Sequence, residues 1–471
     1  MNALSLFLPC AAGVQEYLAT EVQKITGIPS RAWRAGVALH GSWRDALALN
    51  LRSRLAQRVL VQLAQNAYRN EQDLYNAAGN VAWELWFSPQ QTFKVEVTAQ
   101  HSPLQSLNFA TLRIKDAIAD RFRAKFNDQR PSVETRWPDV RIYAHLTTDS
   151  VTLHIDTTGE PLFKRGWRED KGDAPLKETL AAAMIAASGW EQRCKEGVPL
   201  YDPCCGSGTI VIEAAQIACN MAPGLARRFG FENLHPFQAH VWQAMRQQAQ
   251  SEVIEPTAPV FGSDVSFRMV DFAQRNAERA GVAHAVQLRG GDALQRPPPA
   301  TGGVMLLNPP YGERIEVSGV AGARPGQLRR AERARNSGPT GPRPGAGGAW
   351  RGEPVDEFGQ PLAADPPGDA VAPRGRESAQ SDSGQEIANF FGQLAAHWKK
   401  QYAGWTAFVL TPDLKLPGKM RLKESRRLPM WNGPIECRLF RFDLVAGSLR
   451  KPQATEPPGP APQIARHHQA F

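Results

Sequence analysis

The sequence predicts an α/β protein in which a Rossmann-like, doubly wound domain follows an α+β region. From residue 178 onward, apolar strands alternate with helices, as in PLYD followed by TIVIEAAQIA, and a glycine-rich loop joins these two segments. Residues 1–157 instead mix short alternating strands such as TFKVEV with helices such as LNFATLRIKDAIADRFRAKF. Regular alternation of strand and helix is typical of a mainly parallel sheet with helices on both faces. The N-terminal mixture therefore predicts a separate region.

The 471 residues are too many for one ordinary core, and changes in composition mark the predicted modules. Residues 158–177 combine prolines, glycines and charges without a period, which predicts a linker or a surface loop. We expect the doubly wound domain at 178–448. Within it, residues 318–385 are rich in Gly, Pro, Ala, Arg and Ser, which predicts a disordered insertion. The Pro-rich residues 449–471 are expected to form a flexible tail.

Composition and charge limit the classes of function. Hydrophobic residues make up 42% of the chain and charged residues 21%, as in soluble globular proteins. We expect no membrane span, because no apolar run approaches roughly 18 residues, and a cytoplasmic location, because the N-terminus lacks a basic signal-peptide start. The six cysteines form no C-x-x-C pairs, so neither a disulfide framework nor a metal site is expected. The net charge of +9 favours a polyanionic partner, with ordinary solvated Lys and Arg as the alternative.

The loop at residues 202–209 (DPCCGSGT) is the first candidate binding element, because it lies between an apolar strand and an apolar helix. Ligands of open α/β sheets bind at this position, where glycines let the backbone approach them closely. A phosphate-binding P-loop would end in Gly-Lys-Ser/Thr, and a dinucleotide loop would read G-x-G-x-x-G; neither pattern is present. The loop thus favours a cofactor without phosphates. We expect cofactor contacts from Asp202, Pro203, Gly206, Ser207, Gly208 and Thr209.

Two further acidic residues end the next predicted strands. Asp264 ends VFGSD, and Asp292 ends VQLRGGD. Asp264 is placed to accept hydrogen bonds from ribose hydroxyls, and Asp292 from the amino group of adenine. Either residue alone is more simply explained as a strand-end turn or a helix cap. Their spacing after the glycine loop favours cofactor binding.

The motif N-P-P-Y at residues 308–311 follows the apolar strand GVMLL and is the most specific signal in the chain. An exocyclic amine on a base is a poor nucleophile, because its lone pair is delocalised into the ring. The Asn308 side-chain oxygen and the Pro309 carbonyl can accept hydrogen bonds from such an amine, and Tyr311 can stack on an extruded base. We therefore expect transfer of a methyl group from a sulfonium donor to a base amine. The predicted catalytic residues are Asn308, Pro309, Pro310 and Tyr311, and Asn308 is also expected to contact the cofactor.

A series of segments spread over most of the chain carries a family resemblance. They are RIKDAIADRF (113–122), PDVRIYAHL (138–146), FKRGWRE (163–169), APLKETLAAA (174–183), DPCCGSGTIVIEAA (202–215), MAPGL (221–225), GSDVS (262–266) and NPPYGER (308–314). In them the chain resembles the THUMP-domain ribosomal-RNA guanine-N2 methyltransferases of bacteria. This resemblance implies a ferredoxin-like segment at 1–50, a THUMP RNA-binding domain at 51–157 and a class I methyltransferase domain beyond. It also implies S-adenosyl-L-methionine as cofactor, contacts at Asp202, Gly206, Gly208, Asp264 and Asp292, and catalysis at 308–311.

Two groups of basic residues are candidate RNA contacts. One lies on the predicted helix 107–126 and the other in the predicted linker. We expect phosphate contacts from Arg113, Lys115, Lys164, Arg165 and Arg168. For the helix, a solvated basic face is an equally good explanation.

The resemblance implies a substrate as well as a chemistry. The expected substrate is N2 of a guanine in 23S ribosomal RNA, presented as RNA or as a large-subunit assembly intermediate. A DNA adenine-N6 methyltransferase would use the same amine chemistry. A tRNA guanine-N2 methyltransferase would share the THUMP domain as well. A non-catalytic RNA-binding factor of ribosome assembly is the alternative from another class, although the intact loop and acidic residues argue against it.

Overall fold

The computed structural model describes residues 3–172, 175–309 and 377–445, with side chains from residue 389 onward in the last range. Pro310 and Tyr311 of the predicted catalytic motif lie outside these ranges, as do the predicted tail and most of the predicted insertion. Within the described residues the chain forms two sheets, each with its own helices. The predicted division into an α+β region and a doubly wound α/β region is confirmed.

The N-terminal sheet has eight strands in the order β2-β3-β1-β4-β8-β7-β5-β6. These strands are β1 (Leu4–Pro9), β2 (Arg31–Trp33), β3 (Gly36–Gly41), β4 (Leu60–Ala67), β5 (Thr92–Ala99), β6 (Ser132–Val133), β7 (Val140–Leu146) and β8 (Ser150–Asp156). The accompanying helices are α1 (Gln15–Thr26), α2 (Trp43–Arg52), α3 (Glu71–Gly79) and α4 (Leu107–Lys125). One continuous sheet therefore joins the segments predicted as ferredoxin-like and THUMP, with β1 pairing β4 at Leu6 and Val61.

Local sequence explains where the N-terminal helices begin. Helix α2 starts after Ser42, whose hydroxyl accepts from the Asp45 N–H at 3.2 Å while Asp45 accepts from the Ser42 N–H at 2.7 Å. This reciprocal capping box satisfies two amides that the first helical turn leaves free. Helix α4 begins after Ser106, whose hydroxyl accepts from the Phe109 N–H at 3.2 Å. Its bounds agree with the predicted helix 107–126.

Residues 158–172 contain no helix or strand, as expected for a linker, but they are packed against the rest of the molecule. Trp167 and Arg165 are each only 1% exposed. Arg165 lies against Glu213 with Nε and Oε1 3.0 Å apart. A solvated surface loop is therefore the wrong description of this segment, because its large side chains are held by residues distant in the sequence.

The C-terminal sheet has seven strands in the order β11-β10-β9-β12-β13-β15-β14. They are β9 (Leu200–Asp202), β10 (Val260–Asp264), β11 (Val286–Gly290), β12 (Gly303–Leu307), β13 (Trp405–Thr411), β14 (Arg426–Asn432) and β15 (Ile435–Asp443). Pairing is parallel from β11 to β13, and β15 and β14 add an antiparallel hairpin. The strand order reverses at β9, which has β10 on one side and β12 on the other. This reversal opens a crevice at the carboxyl ends of the strands.

The helices of this part of the chain are α5 (Glu178–Ser188), α6 (Trp190–Arg193), α7 (Thr209–Ala218), α8 (Ala239–Ser251), α9 (Phe267–Arg279), α10 (Glu377–Gln401) and α11 (Leu416–Met420). They flank this sheet, with the exception of α8, whose buried residues Trp242 and Met245 pack in the apolar cluster of the N-terminal sheet. Nearly every residue of α5 and α7 is buried, as expected for Ala-rich helices packed against a parallel sheet. Helix α10 begins at Glu377, inside the segment 318–385 that the sequence predicts as a disordered insertion, and its later part packs on the sheet. The remainder of that segment lies outside the described residues.

Two features are absent from the described part of the chain. None of its helices has the length and apolar character needed to cross a membrane. No cluster of three or more His, Cys, Asp or Glu side chains within it could hold a metal ion.

Candidate active site

The glycine loop between β9 and α7 lies at the crevice and depends on two glycines with different surroundings. Gly206 has φ +53° and Gly208 has φ +91°, both in the left-handed region that L side chains avoid. A Cβ added to Gly208 would lie 3.0 Å from the Ala273 Cβ of α9, whereas one added to Gly206 would meet nothing within 4 Å. Gly208 thus lets α9 pack closely, and Gly206 leaves the open face of the loop free for a ligand.

The acidic residues at the ends of β9 and β10 are built into this loop. The Gly206 N–H donates to Asp264 Oδ2 at 3.0 Å, and the Ser266 N–H donates to Asp264 Oδ1 at 2.9 Å. Asp202 accepts from the Cys204 N–H at 3.0 Å. Burial raises the pKa of both carboxyl groups, that of Asp202 well above its ordinary value, because of desolvation and the nearby charge of Asp264. Both acids therefore shape the loop at the carboxyl ends of their strands.

Asp292, the third predicted acidic residue, lies at the same end of the sheet as Asp202 and Asp264. Asp292 follows β11 and accepts from the Leu294 N–H at 2.9 Å, which fixes its turn. The Gly291 N–H donates to the Asp264 carbonyl at 2.9 Å, so the end of β11 is tied to the end of β10. The structure thus brings Asp202, Asp264 and Asp292 to neighbouring strand ends.

Asn308 supplies a buried acceptor directly after β12. Its side-chain oxygen Oδ1 is buried and has no hydrogen-bond partner among the described residues. Pro309 is buried beside it. Strand β12 pairs with β9, Met305 opposite Tyr201, so Asn308 follows the strand next to the one that leads into the glycine loop. A buried acceptor without a partner is costly in a folded protein, and a donor on a ligand would satisfy it.

Phe267 is a candidate ligand contact that the sequence analysis missed. Its side chain is 80% exposed although it opens helix α9, three residues after Asp264. A Cβ on Gly290 would lie 2.4 Å from the Phe267 ring, so the ring packs on the backbone at the end of β11. It therefore offers an apolar surface between two of the predicted acids. The sequence did contain a signal for this contact, because an aromatic residue stands in the first turn of the predicted helix, where polar residues are more usual.

The candidate RNA contacts fall into two groups. Lys164 is exposed, and Arg113 on α4 lies half-buried, with its guanidinium 4.5 Å from the Tyr75 ring centre. Lys115 lies 3.0 Å from Asp116 and is also half-buried. All three remain candidates for phosphate contact.

Arg165 and Arg168, the two arginines among the candidates in the predicted linker, are not free to contact RNA. Arg165 is buried and paired with Glu213. The Arg168 side chain is 13% exposed, and its Nε donates to Glu178 Oε1 at 2.7 Å. Their prediction as phosphate ligands needs correction, because both guanidinium groups are already engaged inside the protein.

Comparison with family models assigns three consecutive domains. Residues 5–60 match the RlmL ferredoxin-like domain, residues 68–156 match the THUMP domain, and residues 165–323 match the RMKL-like methyltransferase domain. The chain thus contains an RMKL-like methyltransferase domain preceded by a ferredoxin-like domain and a THUMP domain. This order of domains confirms the one predicted from the sequence, and the crevice lies within the match to the methyltransferase domain.

Curated relatives share these domains but are longer. "Ribosomal RNA large subunit methyltransferase K/L" of Psychromonas ingrahamii is 31% identical over 446 residues, covering 93% of this chain and 50% of the relative. The protein of the same name from Shewanella frigidimarina is 30% identical over 460 residues, covering 97% of this chain and 55% of the relative. The chain thus spans about half the length of the curated relatives it matches.

Solved structures show the same fold. SMU.472, a putative methyltransferase complexed with SAH, has a TM-score of 0.73 at 24% identity and covers 95% of this chain and 100% of its own. A possible methylase from Clostridium difficile 630 has the same TM-score and identity, covering 95% of this chain and 99% of its own. At this identity the likeness concerns the fold, and it extends across both sheets of the chain.

Proposed function

We propose that the chain transfers the methyl group of S-adenosyl-L-methionine to the exocyclic N2 of a guanine in large-subunit (23S) ribosomal RNA. The observation that carries the proposal is the buried Asn308 Oδ1, which has no hydrogen-bond partner among the described residues and follows the strand next to β9 in a methyltransferase domain. The THUMP domain match and the names of the curated relatives support ribosomal RNA as the substrate class.

The residues at the crevice fit S-adenosyl-L-methionine. Asp264 ends the second strand of the sheet, which is the position of the ribose-binding acid in doubly wound folds. Asp292 would accept from the adenine amino group, and the exposed ring of Phe267 offers an apolar face for the base. Asp202 and the open face of Gly206 would hold the remainder of the cofactor. When bound, this cofactor supplies an electrophilic methyl group on a positively charged sulfur.

The protein residues orient the amine for transfer. Asn308 Oδ1 would accept one N–H of the guanine amino group, and the Pro309 carbonyl would accept the other, which favours a more tetrahedral nitrogen with its lone pair directed at the methyl group. An amide oxygen accepts a hydrogen bond but does not take up the proton at neutral pH. The proton that the amine loses would therefore pass to water. Stacking of the base on Tyr311 stays a prediction from the sequence.

The RNA would be held by the N-terminal half of the chain. The THUMP domain carries Arg113 and Lys115, and Lys164 follows it. Basic side chains of this kind position RNA through its phosphates without reading its sequence. The partner would be 23S ribosomal RNA or a large-subunit assembly intermediate, and such a substrate would place the protein in the cytoplasm.

The replacement Asn308→Ala tests the proposed function. We expect it to reduce methyl transfer by at least about 100-fold, because it removes an acceptor aligned with the reacting amine, with little change in affinity for S-adenosylhomocysteine. Labelled methyl from S-adenosylmethionine is followed into unmodified 23S RNA, and the product is identified by nucleoside analysis. Asn233→Ala, which alters an exposed asparagine of the same half of the chain, is the matched control.

The nucleoside analysis separates the alternatives. N2-methylguanosine in 23S RNA supports the proposal. Label in tRNA would change the substrate but retain the chemistry, and label in DNA adenine would favour a DNA methyltransferase. Cofactor binding without transfer to any of these would favour a non-catalytic assembly factor. Normal turnover by Asn308→Ala would contradict the proposed role of the motif.

A further inference from the structure

Residues 164–172, here called the strap, lead from the THUMP match into the methyltransferase domain and lie against the glycine loop. The loop is the element at which the proposed cofactor would bind. The strap is attached to it by one arginine of its own and by one asparagine of helix α9. Neither residue is explained by the proposed chemistry.

Arg168 is the first attachment. Its Nη2 donates to Thr209 Oγ1 at 2.7 Å, and its Nη1 lies 3.3 Å from Ser207 Oγ. These two hydroxyls stand on either side of Gly208. On its other edge the guanidinium donates from Nε to Glu178 Oε1 of α5 at 2.7 Å. A single side chain thus joins the strap, the loop and a buried helix.

Asn276 is the second attachment and is fully buried in α9. Its Nδ2 donates to the Ser207 carbonyl at 3.0 Å and to the Asp170 carbonyl of the strap at 2.9 Å. The Asp170 carboxylate is itself held by Arg279 at 2.7 Å and by Arg275 at 3.0 Å. The strap and the loop therefore share one set of anchors on α9.

We propose that Arg168 is a positioning residue for the cofactor loop, fixing the Ser207–Thr209 turn in the shape that binds S-adenosyl-L-methionine. The inference rests on the proposed function, since it concerns the same site. It assigns a role to an arginine that the sequence alone suggested as an RNA ligand. Because the strap follows the THUMP domain in the chain, the same contact links the RNA-binding half to the cofactor loop.

The geometry requires an arginine. The guanidinium is a planar fork whose three nitrogens reach four acceptors at once, those on Glu178, Ser207 and Thr209 and the Leu176 carbonyl, whereas a lysine ammonium is a point charge on a flexible stem. Arg168→Lys keeps the charge opposite the buried Glu178 but cannot bridge both hydroxyls. It therefore separates loop positioning from simple charge balance.

The test measures binding of S-adenosylhomocysteine to the full chain by calorimetry. We expect Arg168→Lys to weaken binding by about tenfold, the effect of losing a hydrogen bond to a charged group. The KM for S-adenosylmethionine should rise similarly while the KM for RNA and kcat change less than twofold. Lys171→Ala, at an exposed position of the strap, should bind like the wild type. If Arg168→Lys fails to fold, the neutral pair Arg168→Gln with Glu178→Gln replaces it, with the same expected loss.

A double-mutant cycle with Thr209→Val separates positioning from general stability. We expect the double variant to lose little more affinity than Arg168→Lys alone, because the two residues act through one contact. The proposed role of Arg168 would be overturned if the fold-losses of affinity in the two single variants multiplied in the double variant. Normal affinity in Arg168→Lys would overturn it as well. Failure of the wild type to bind S-adenosylhomocysteine would instead overturn the proposed function.

Discussion

Asp202 shows how a single residue can serve a site at the expense of stability. It is 1% exposed, and no Lys or Arg pairs with it in the described part of the structure. Its carboxylate accepts from the Cys204 N–H, but desolvation and Asp264 together raise its pKa. A buried carboxylate without a cationic partner is unfavourable in the ionised form. Such an acid is retained most simply for what it binds.

Asp202→Asn is expected to keep or raise the midpoint of thermal unfolding at neutral pH while weakening S-adenosylhomocysteine binding by at least about tenfold. The amide retains an oxygen for the Cys204 N–H but removes the buried charge. Thermal unfolding and calorimetry on the same preparation measure the two effects. A variant that is less stable and binds normally would contradict this account.

The pH dependence of this variant has a defined sign. The folded-state pKa of Asp202 lies above its unfolded value, so the wild type is destabilised above the unfolded-state pKa, and the full penalty is reached above the folded-state pKa. As the pH falls through the folded-state pKa the penalty begins to decrease, and it disappears below the unfolded-state pKa. The stability advantage of Asp202→Asn should therefore shrink as the pH falls, and an advantage that grows would be inconsistent with it.

The sequence predicted the positions of some polar residues correctly and missed the burial of others. Asp202, Asp264 and Asn308 were each predicted to contact the cofactor because each follows an apolar strand of the predicted sheet. Arg165 and Arg168 were taken for surface residues because a glycine- and proline-rich context predicts exposure. Their partners lie elsewhere in the chain and become neighbours only after folding.

At the scale of elements, the strand–loop–helix unit β9-loop-α7 was predictable because both flanking segments are apolar and the glycines stand between them. The different roles of the two glycines were not predictable. They depend on Ala273 of α9, which approaches Gly208, and on the open space at Gly206. This distinction yields a matched pair of substitutions.

Gly208→Ala should destabilise the chain more than Gly206→Ala, because it adds a contact with α9 to the cost of a left-handed alanine, about 1–2 kcal/mol. Gly206→Ala should lose about that backbone cost alone, but its methyl group would enter the space proposed for the cofactor. We therefore expect Gly206→Ala to lose less stability than Gly208→Ala but, for the stability it loses, more affinity for S-adenosylhomocysteine. Thermal unfolding and calorimetry of both variants provide the comparison, and the reverse order would place the ligand elsewhere.

At the scale of the whole molecule, the two halves share a core and a buried charge network. Phe231 and Trp242, from the C-terminal half, pack in the same apolar cluster as the N-terminal sheet. Glu213 of α7 is completely buried and pairs with Arg165 at 3.0 Å and with Arg54 at 3.2 Å. The sequence predicted separate modules, because connectivity and composition reveal modules but not how they pack. The network joins the N-terminal half to the helix that begins at the glycine loop.

Glu213→Gln tests this junction. It leaves Arg165 and Arg54 buried without their shared carboxylate, so we expect a loss of about 3–5 kcal/mol in the free energy of unfolding. The matched control is Glu191→Gln, which breaks a pair with Lys24 across the same junction at 3.4 Å, with side chains 47% and 59% exposed. An exposed pair should contribute only about 0–1 kcal/mol. Denaturant unfolding measures both variants. Equal effects would show that burial of the network does not hold the halves together.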